Sequence, residues 1–230
     1  MVIEQERLTV TLIYLGAIND IAEGDDLFII PRNAILSVKN SSLNDQLAEQ
    51  LEELGPWLSL MVVMIYEYLR GEQSKWDSYF KILPSTFNTL MFWNEKQLSE
   101  LQASAIVDKI GKQSADQSIL ESVAPLIRSN SSLFPPIVGL ASWADEAGTS
   151  ALLQLAHRMG SLIMAYAFDI DKTEEEESPD EDGFVPDEEE QAAKGMVPLA
   201  DLLNADADRN NVRFSPYGIP LSFCLETLFI

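Results

Sequence analysis

"MVPLADLLNADADRNN", residues 196–211, joins an apolar run, an aspartate and an asparagine to a polar knot that ends in two asparagines, and nineteen residues follow it. The segment just upstream, Glu174–Glu190, holds eleven acidic residues and no Lys or Arg. That run carries half of the formal net charge of −22. Residues 171–190 contain Pro179, Gly183 and Pro186 and few large apolar side chains. Such a stretch cannot bury enough surface to order itself, so a mobile acidic loop is expected there.

Further upstream the pattern turns helical. "TSALLQLAHRMGSLIMAYAFDI" (149–170) reads as an apolar helix or a helix running into a strand, and residues 94–130 read as helical for most of their length. Residues 71–87 read as a connector with short helical pieces. "SLNDQLAEQLEEL" (42–54) has apolar residues at helical spacing, with Ser42 or Asn44 as a cap. Gly55 and Pro56 break it, and a second helix follows through Leu69. Its run 57–69 is apolar all round and includes Glu67, so it reads as a buried helix too short to cross a bilayer. Residues 7–38 read as strands, with a turn at "EGDD" (23–26) and a short strand at "LFIIP" (27–31). Strands, a long helical block, an acidic loop and a short Asn-rich piece make an α+β chain whose strands are split by a helical insertion. No repeat of 20–50 residues is visible.

The composition narrows the function. Hydrophobic residues make up 47%, enough for a sizeable core. The negative charge argues against nucleic acid and against an anionic membrane surface as partners. It suits a basic protein partner. Cys224 is the one cysteine, which excludes an internal disulfide and points to a reducing compartment, nucleus or cytoplasm. One cysteine and one histidine make no zinc site.

Four stretches occur in order: "DIAEGDDLFIIPRNAILSVKNSSL" (20–43), "WDSYFKILPSTFNTLMFWNEKQLSEL" (76–101), "HRMGSLIMAYAFDI" (157–170) and "MVPLADLLNADADRNN" (196–211). Together they resemble SET-domain protein-lysine methyltransferases, in the group related to the Rubisco large-subunit methyltransferase. The resemblance implies a SET-like β-rich fold split by a helical insertion, about 42–170, within a partial SET domain at 20–214. It implies transfer of a methyl group from S-adenosylmethionine to a protein lysine, with a basic, ribosomal or histone-like, protein as partner. In this family the chain around the Asn forms a knot-like arrangement beside the cofactor. By that likeness Asn204, Ala205 and Arg158 touch S-adenosylmethionine, and Asp201 with Arg158 lines the lysine side. The family usually has Asn-His where this chain has Asn204–Ala205. Read alone, Asn204 is equally a turn residue, Asp201 an ordinary carboxylate, and Arg158 the partner of some acid. His157 reads as a packed or surface histidine, Tyr166 as core, and the four tryptophans as core anchors. The reaction aligns a sulfonium with a neutral amine and needs no metal or covalent nucleophile.

The chain departs from the pattern at both ends. The paired glycines expected upstream of "DIAEGD" are replaced by "RLTVTLIYLGAIN", with Gly16 alone, so residues 1–19 form an atypical segment. After residue 214 the family continues with strands, a segment bearing the tyrosine of the methyl-transfer channel, and a helical substrate-binding domain. Here 215–230 reads as an atypical tail, and Tyr217 lies too near Asn204 to serve as that tyrosine. The expectation is a truncated chain with no catalytic tyrosine, in which the "LADLL" run lacks strand partners and exposes apolar surface. Weak or absent binding of S-adenosylmethionine would follow. A non-catalytic SET-like fragment serving as an interaction module is the alternative.

Overall fold

A computed structural model describes residues 22, 24–101, 104–170, 193–202, 212–215 and 221–225. Residues 171–190 and 204–205 therefore lie outside the described residues, as do 1–20 and Tyr217.

The chain enters through a turn at Gly24, whose φ of +89° suits a residue without Cβ. It then forms β1 (Asp26–Ile30) and β2 (Leu36–Ser37), matching the strand read at 27–31. The helical block follows: α1 (Asn44–Glu53), α2 (Gly55–Arg70), α3 (Asp77–Ile82), α4 (Glu95–Ser99), α5 (Ile106–Lys109), α6 (Lys112–Ser118), α7 (Ala124–Ser129) and α8 (Glu146–Tyr166). β3 (Ala167–Ile170) runs directly on from α8, and β4 (Ala193–Met196), β5 (Val212–Ser215) and β6 (Leu221–Leu225) complete the described strands.

Two antiparallel three-stranded sheets result, in the orders β1-β6-β5 and β2-β4-β3. In the second, β4 is central. Met196 faces Leu36 on one side and Ala167 on the other, so β4 joins the two strands that flank the helical block. Gly195 in this central strand sits tight against two isoleucines, which would have to shift to admit a side chain. An added Cβ would sit 2.2 Å from Ile170 Cδ1 and 2.9 Å from Ile35 Cγ2.

α2 is the axis of the core. Ser59 through Glu67 are all buried, as the all-round apolar pattern of 57–69 requires. The helix packs against α8, α1 and β4. Glu67 is the charged exception at 1% exposure. Its carboxylate accepts from Ser41 Oγ and Ser74 Oγ, each at 2.6 Å, and Arg70 Nη1 lies 3.4 Å away. A buried carboxylate persists when its oxygens are filled in this way. Trp76 and Trp143 are buried as core anchors, whereas Trp57 is only partly buried against the core.

Two expectations need correcting, on the cap of α1 and on the carboxyl-terminal residues. Neither Ser42 nor Asn44 caps α1. Leu43 occupies the cap position without a side-chain bond, while Ser42 Oγ accepts from Arg70 Nη1 at 3.1 Å and lies 3.3 Å from Tyr66 Oη. Residues 94–130 are helical for most of their length, as read, but in short pieces: Gly111 adopts φ +65° and starts α6 afresh, and a π-helical turn at Ile119–Val123 precedes α7. The carboxyl-terminal reading changes most. Residues 221–225 of the tail form β6, which pairs with β1 on one edge and β5 on the other. Within the "LADLL" run, Ala200 is buried with Ile30, Ile35, Ile170 and the preceding Val197, whereas Leu199 is exposed at 51% as expected; Leu203 lies outside the described residues.

Candidate functional site

The chain leaves β4 through buried Val197 and reaches Leu199, which adopts φ +76°. A left-handed conformation is unfavourable for a branched side chain and is kept only where the surroundings impose it. It bends the chain into a 3-10 turn, Ala200–Leu202, closed by Ala200 N–H to Val197 O (3.2 Å) and Leu202 N–H to Leu199 O (3.1 Å). Asp201 rides on this turn, three residues before Asn204.

α3 meets Asp201 from the helical block. It begins after Trp76, whose Nε1 donates to Ala34 O at 2.8 Å, and Lys75 Nζ lies 4.2 Å over the Trp76 ring. Lys75 also donates to Asn33 O at 3.0 Å. These bonds tie the start of α3 to the β1–β2 connection. One turn later Tyr79, itself buried, donates its hydroxyl to Asp201 Oδ2 at 2.6 Å. Tyr79 is the site residue that sequence reading missed. It stands inside the quoted stretch "WDSYFKILPSTF", where a buried tyrosine three residues after a buried tryptophan would have drawn the question of its hydroxyl's partner.

The pair is electrostatically matched. Burial pushes the Tyr79 hydroxyl far above the ordinary phenol value, and the Asp201 charge, the hydrogen bond to it and Tyr166 add to the shift. Tyr79 is therefore a fixed donor. Burial also raises the Asp201 carboxyl above its ordinary 3.8, against the lowering effects of the Tyr79 bond and of the Asp201 and Leu199 amides. Oδ1 of Asp201 is buried and has no hydrogen-bond partner among the described residues. A buried acceptor left open costs about 1–3 kcal/mol and is a reason to look for a ligand donor.

Arg158 lies on α8. Its Nε donates to Pro84 O at 3.3 Å, and its guanidinium sits 4.9 Å from the Tyr68 ring centroid. The structure thus places Arg158 against the residues that follow α3, and Asp201 against Tyr79 within α3. Asn204 and Ala205 lie outside the described residues. His157 is a packed histidine, buried and in contact through Nε2 with Asp116 Oδ1. Tyr166 is half-buried against the main core and lies near Tyr79.

Two larger cavities open elsewhere. One of about 600 Å³ has Arg32, Lys39, Asn40, Ser59 and Lys194 in its walls. The other, about 950 Å³, is a largely apolar groove walled by Trp57, Met61, Phe87, Trp93, His157 and Met164. Neither includes Tyr79, Arg158 or Asp201.

No family model matches the chain. It is similar to several known proteins. Ribosomal lysine N-methyltransferase 4 of Saccharomyces cerevisiae is 31% identical over 212 residues, which is 86% of this chain and 40% of that protein. N-lysine methyltransferase setd6 of Xenopus laevis is 30% identical over 217 residues, 90% of this chain and 44% of that protein. Human N-lysine methyltransferase SETD6 is 30% identical over 204 residues, 84% of this chain and 38% of that protein. The chain spans about two fifths of the length of the curated relatives it matches.

Proposed function

This chain is a homologue of protein N-lysine methyltransferases, and from that premise we propose that it takes part in transferring a methyl group from S-adenosylmethionine to the ε-amine of a lysine in a basic protein. The observation that carries the proposal is the 31% identity to ribosomal lysine N-methyltransferase 4 across 86% of the chain. That relative's name favours a ribosomal protein as substrate, with a histone-like protein as the second candidate, in the nucleus or cytoplasm. The SET-like reading of the fold belongs to the same proposal. A strand pair flanking the helical block and rejoined through β4 supports it.

The polar groups at Asp201 support the amine half of this reading. The open Oδ1 offers a buried acceptor, and the Tyr79 hydroxyl holds the other oxygen. Asn204, Ala205 and Arg158 are the residues that would hold S-adenosylmethionine, which supplies an activated methyl group. Asp201 would face the lysine. As a desolvated carboxylate it favours a positive or hydrogen-bonding partner, so it can orient an incoming amine and accept one of its hydrogen bonds. Tyr79 stays protonated throughout and serves as a fixed donor to the carboxylate.

Two measurements on the full chain test the reading. Isothermal titration with S-adenosylmethionine should give saturable binding, because β6 and the burial of Val197 and Ala200 supply the support that the sequence alone denied this region. Labelled methyl groups should then pass to lysine in a mixture of ribosomal proteins or to histones. Absence of both heat and label would exclude the proposal in favour of an interaction module.

A further inference from the structure

We infer that Tyr79 is a positioning residue for the Asp201 turn. It holds that turn in the one form that leaves Oδ1 of Asp201 open to a ligand. The inference rests on the proposed use of Asp201 for its ligand role, but its structural half stands by itself.

The argument starts from the backbone. Among the described residues the turn at 200–202 is closed by two backbone–backbone hydrogen bonds, and it follows a leucine in an unfavourable left-handed conformation. Such a segment needs an outside restraint. Leu199 is exposed and supplies none, whereas Val197 and Ala200 anchor the turn through apolar contact, which is non-directional. The Tyr79–Asp201 bond is directional. It is short, it is charge-assisted, and its donor sits on a helix already fixed by Trp76 to Ala34 and by Phe80 in the core. One carboxylate oxygen is consumed by this bond. The other is left buried and free of partners among the described residues. Without the hydroxyl, the carboxylate could rotate or swing outward to water, and the turn leading toward Asn204 would lose its fixed register.

The bond also connects two distant parts of the chain. Tyr79 and Asp201 are 122 residues apart, and α3 lies between the β1–β2 connection and the residues gripped by Arg158. A ligand that contacts Arg158 and Asp201 would thus touch one point braced by α3 and another held against the residues just after it. Positioning of this kind acts on ligand affinity, because a ligand need not order the turn at its own expense.

The test uses the full chain and S-adenosylmethionine itself. Tyr79→Phe removes only the hydroxyl. We expect the dissociation constant to rise about tenfold or more. Combined with Asp201→Ala, the same change should add less than about a further twofold, since Tyr79 acts through Asp201. Independent losses that simply multiply would overturn the inference, and so would an unchanged affinity in Tyr79→Phe. Hydrogen exchange without ligand gives a second readout. Amides of Ala200 and Leu202 should exchange about tenfold faster in Tyr79→Phe, while those of α2 stay unchanged. Wild-type protein that does not bind the cofactor would sink the proposed function, yet the exchange measurement would still decide on Tyr79. Exchange at 200–202 equal to that of the wild type would refute the restraint.

Discussion

The indole N–H of Trp76 ends on the carbonyl of Ala34, 2.8 Å away, and so fastens the helical block to the connection between the first two strands. Both residues belong to motifs that the sequence displayed separately, at 76–101 and 20–43. Trp76→Phe would keep much of the buried volume and orphan that carbonyl. A loss of about 1–3 kcal/mol is expected, read as a lower urea midpoint with an unchanged slope. Trp76→Ala should lose about 3–5 kcal/mol, since it opens a cavity as well.

Glu67 is buried, and its carboxylate accepts from the hydroxyls of Ser41 and Ser74, one on each side of α2 in the sequence. Glu67→Ala strands both hydroxyls and should cost about 3–5 kcal/mol. Glu67→Gln should cost far less, about 1 kcal/mol, because a hydroxyl can donate to the amide oxygen or accept from the amide nitrogen. Thermal melts of the two variants side by side check the order. Equal losses would mean that the carboxylate's charge, and not its capacity to accept, holds the network.

Gly195→Ala places a methyl group against Ile170 Cδ1 and Ile35 Cγ2. The overpacking should destabilise by about 1–3 kcal/mol. Adding Ile170→Val removes the nearer of the two obstructing atoms and should restore part of the loss. A denaturation series on the single and double variants measures the recovery, and a double variant no better than Gly195→Ala contradicts the packing argument.

Asp201 gives a pH dependence with a definite sign. Its folded-state pKa lies above the ordinary 3.8, so the native state holds its proton longer than the unfolded chain does. Its contribution to stability is therefore complete below about pH 4 and is lost as pH rises through the raised value. Asp201→Asn abolishes that loss. The wild type should weaken relative to the variant as pH rises from about pH 4, and Tyr79→Phe should move the change to higher pH by removing a bond that lowers the pKa. Denaturant midpoints across this range, taken as differences between proteins, check the direction while the other carboxylates cancel.

The acidic run gives a prediction about partners. If it draws a basic substrate toward the chain, removing Glu174–Glu190 should flatten the salt dependence of substrate affinity. The measurement is affinity for a basic protein at low and at physiological ionic strength. An unchanged slope leaves the run as a solvated linker.

What the sequence revealed follows from how local each signal is. α2 was legible because nine consecutive buried positions leave no polar face to confuse the pattern. α8 running into β3 was legible as a helix-strand run, since "AFDI" follows an unbroken apolar helix. The caps of α1 and the breaks between 94 and 130 were not, because they depend on Ser42 being claimed by Arg70 and on the backbone angle of Gly111. β6 was missed for the same kind of reason: a strand of five residues takes its meaning from the β1 and β5 partners on its two edges. Of the candidate site, Asp201 and Arg158 could be singled out by likeness. The tyrosine that engages Asp201 could have been noted as needing a partner but not paired with Asp201, because a pairing across 122 residues leaves no trace in spacing.

The central place of β4 has a bearing on how the molecule is made. Leu36 waits for Met196, about 160 positions later, before its edge of the sheet can close. By then α1 to α8 have all been synthesised, and pairings of such long range form slowly. On a translating ribosome the helices would condense first around α2, holding β2 and β3 apart like two open jaws. One late strand, with a glycine at its centre, then shuts them.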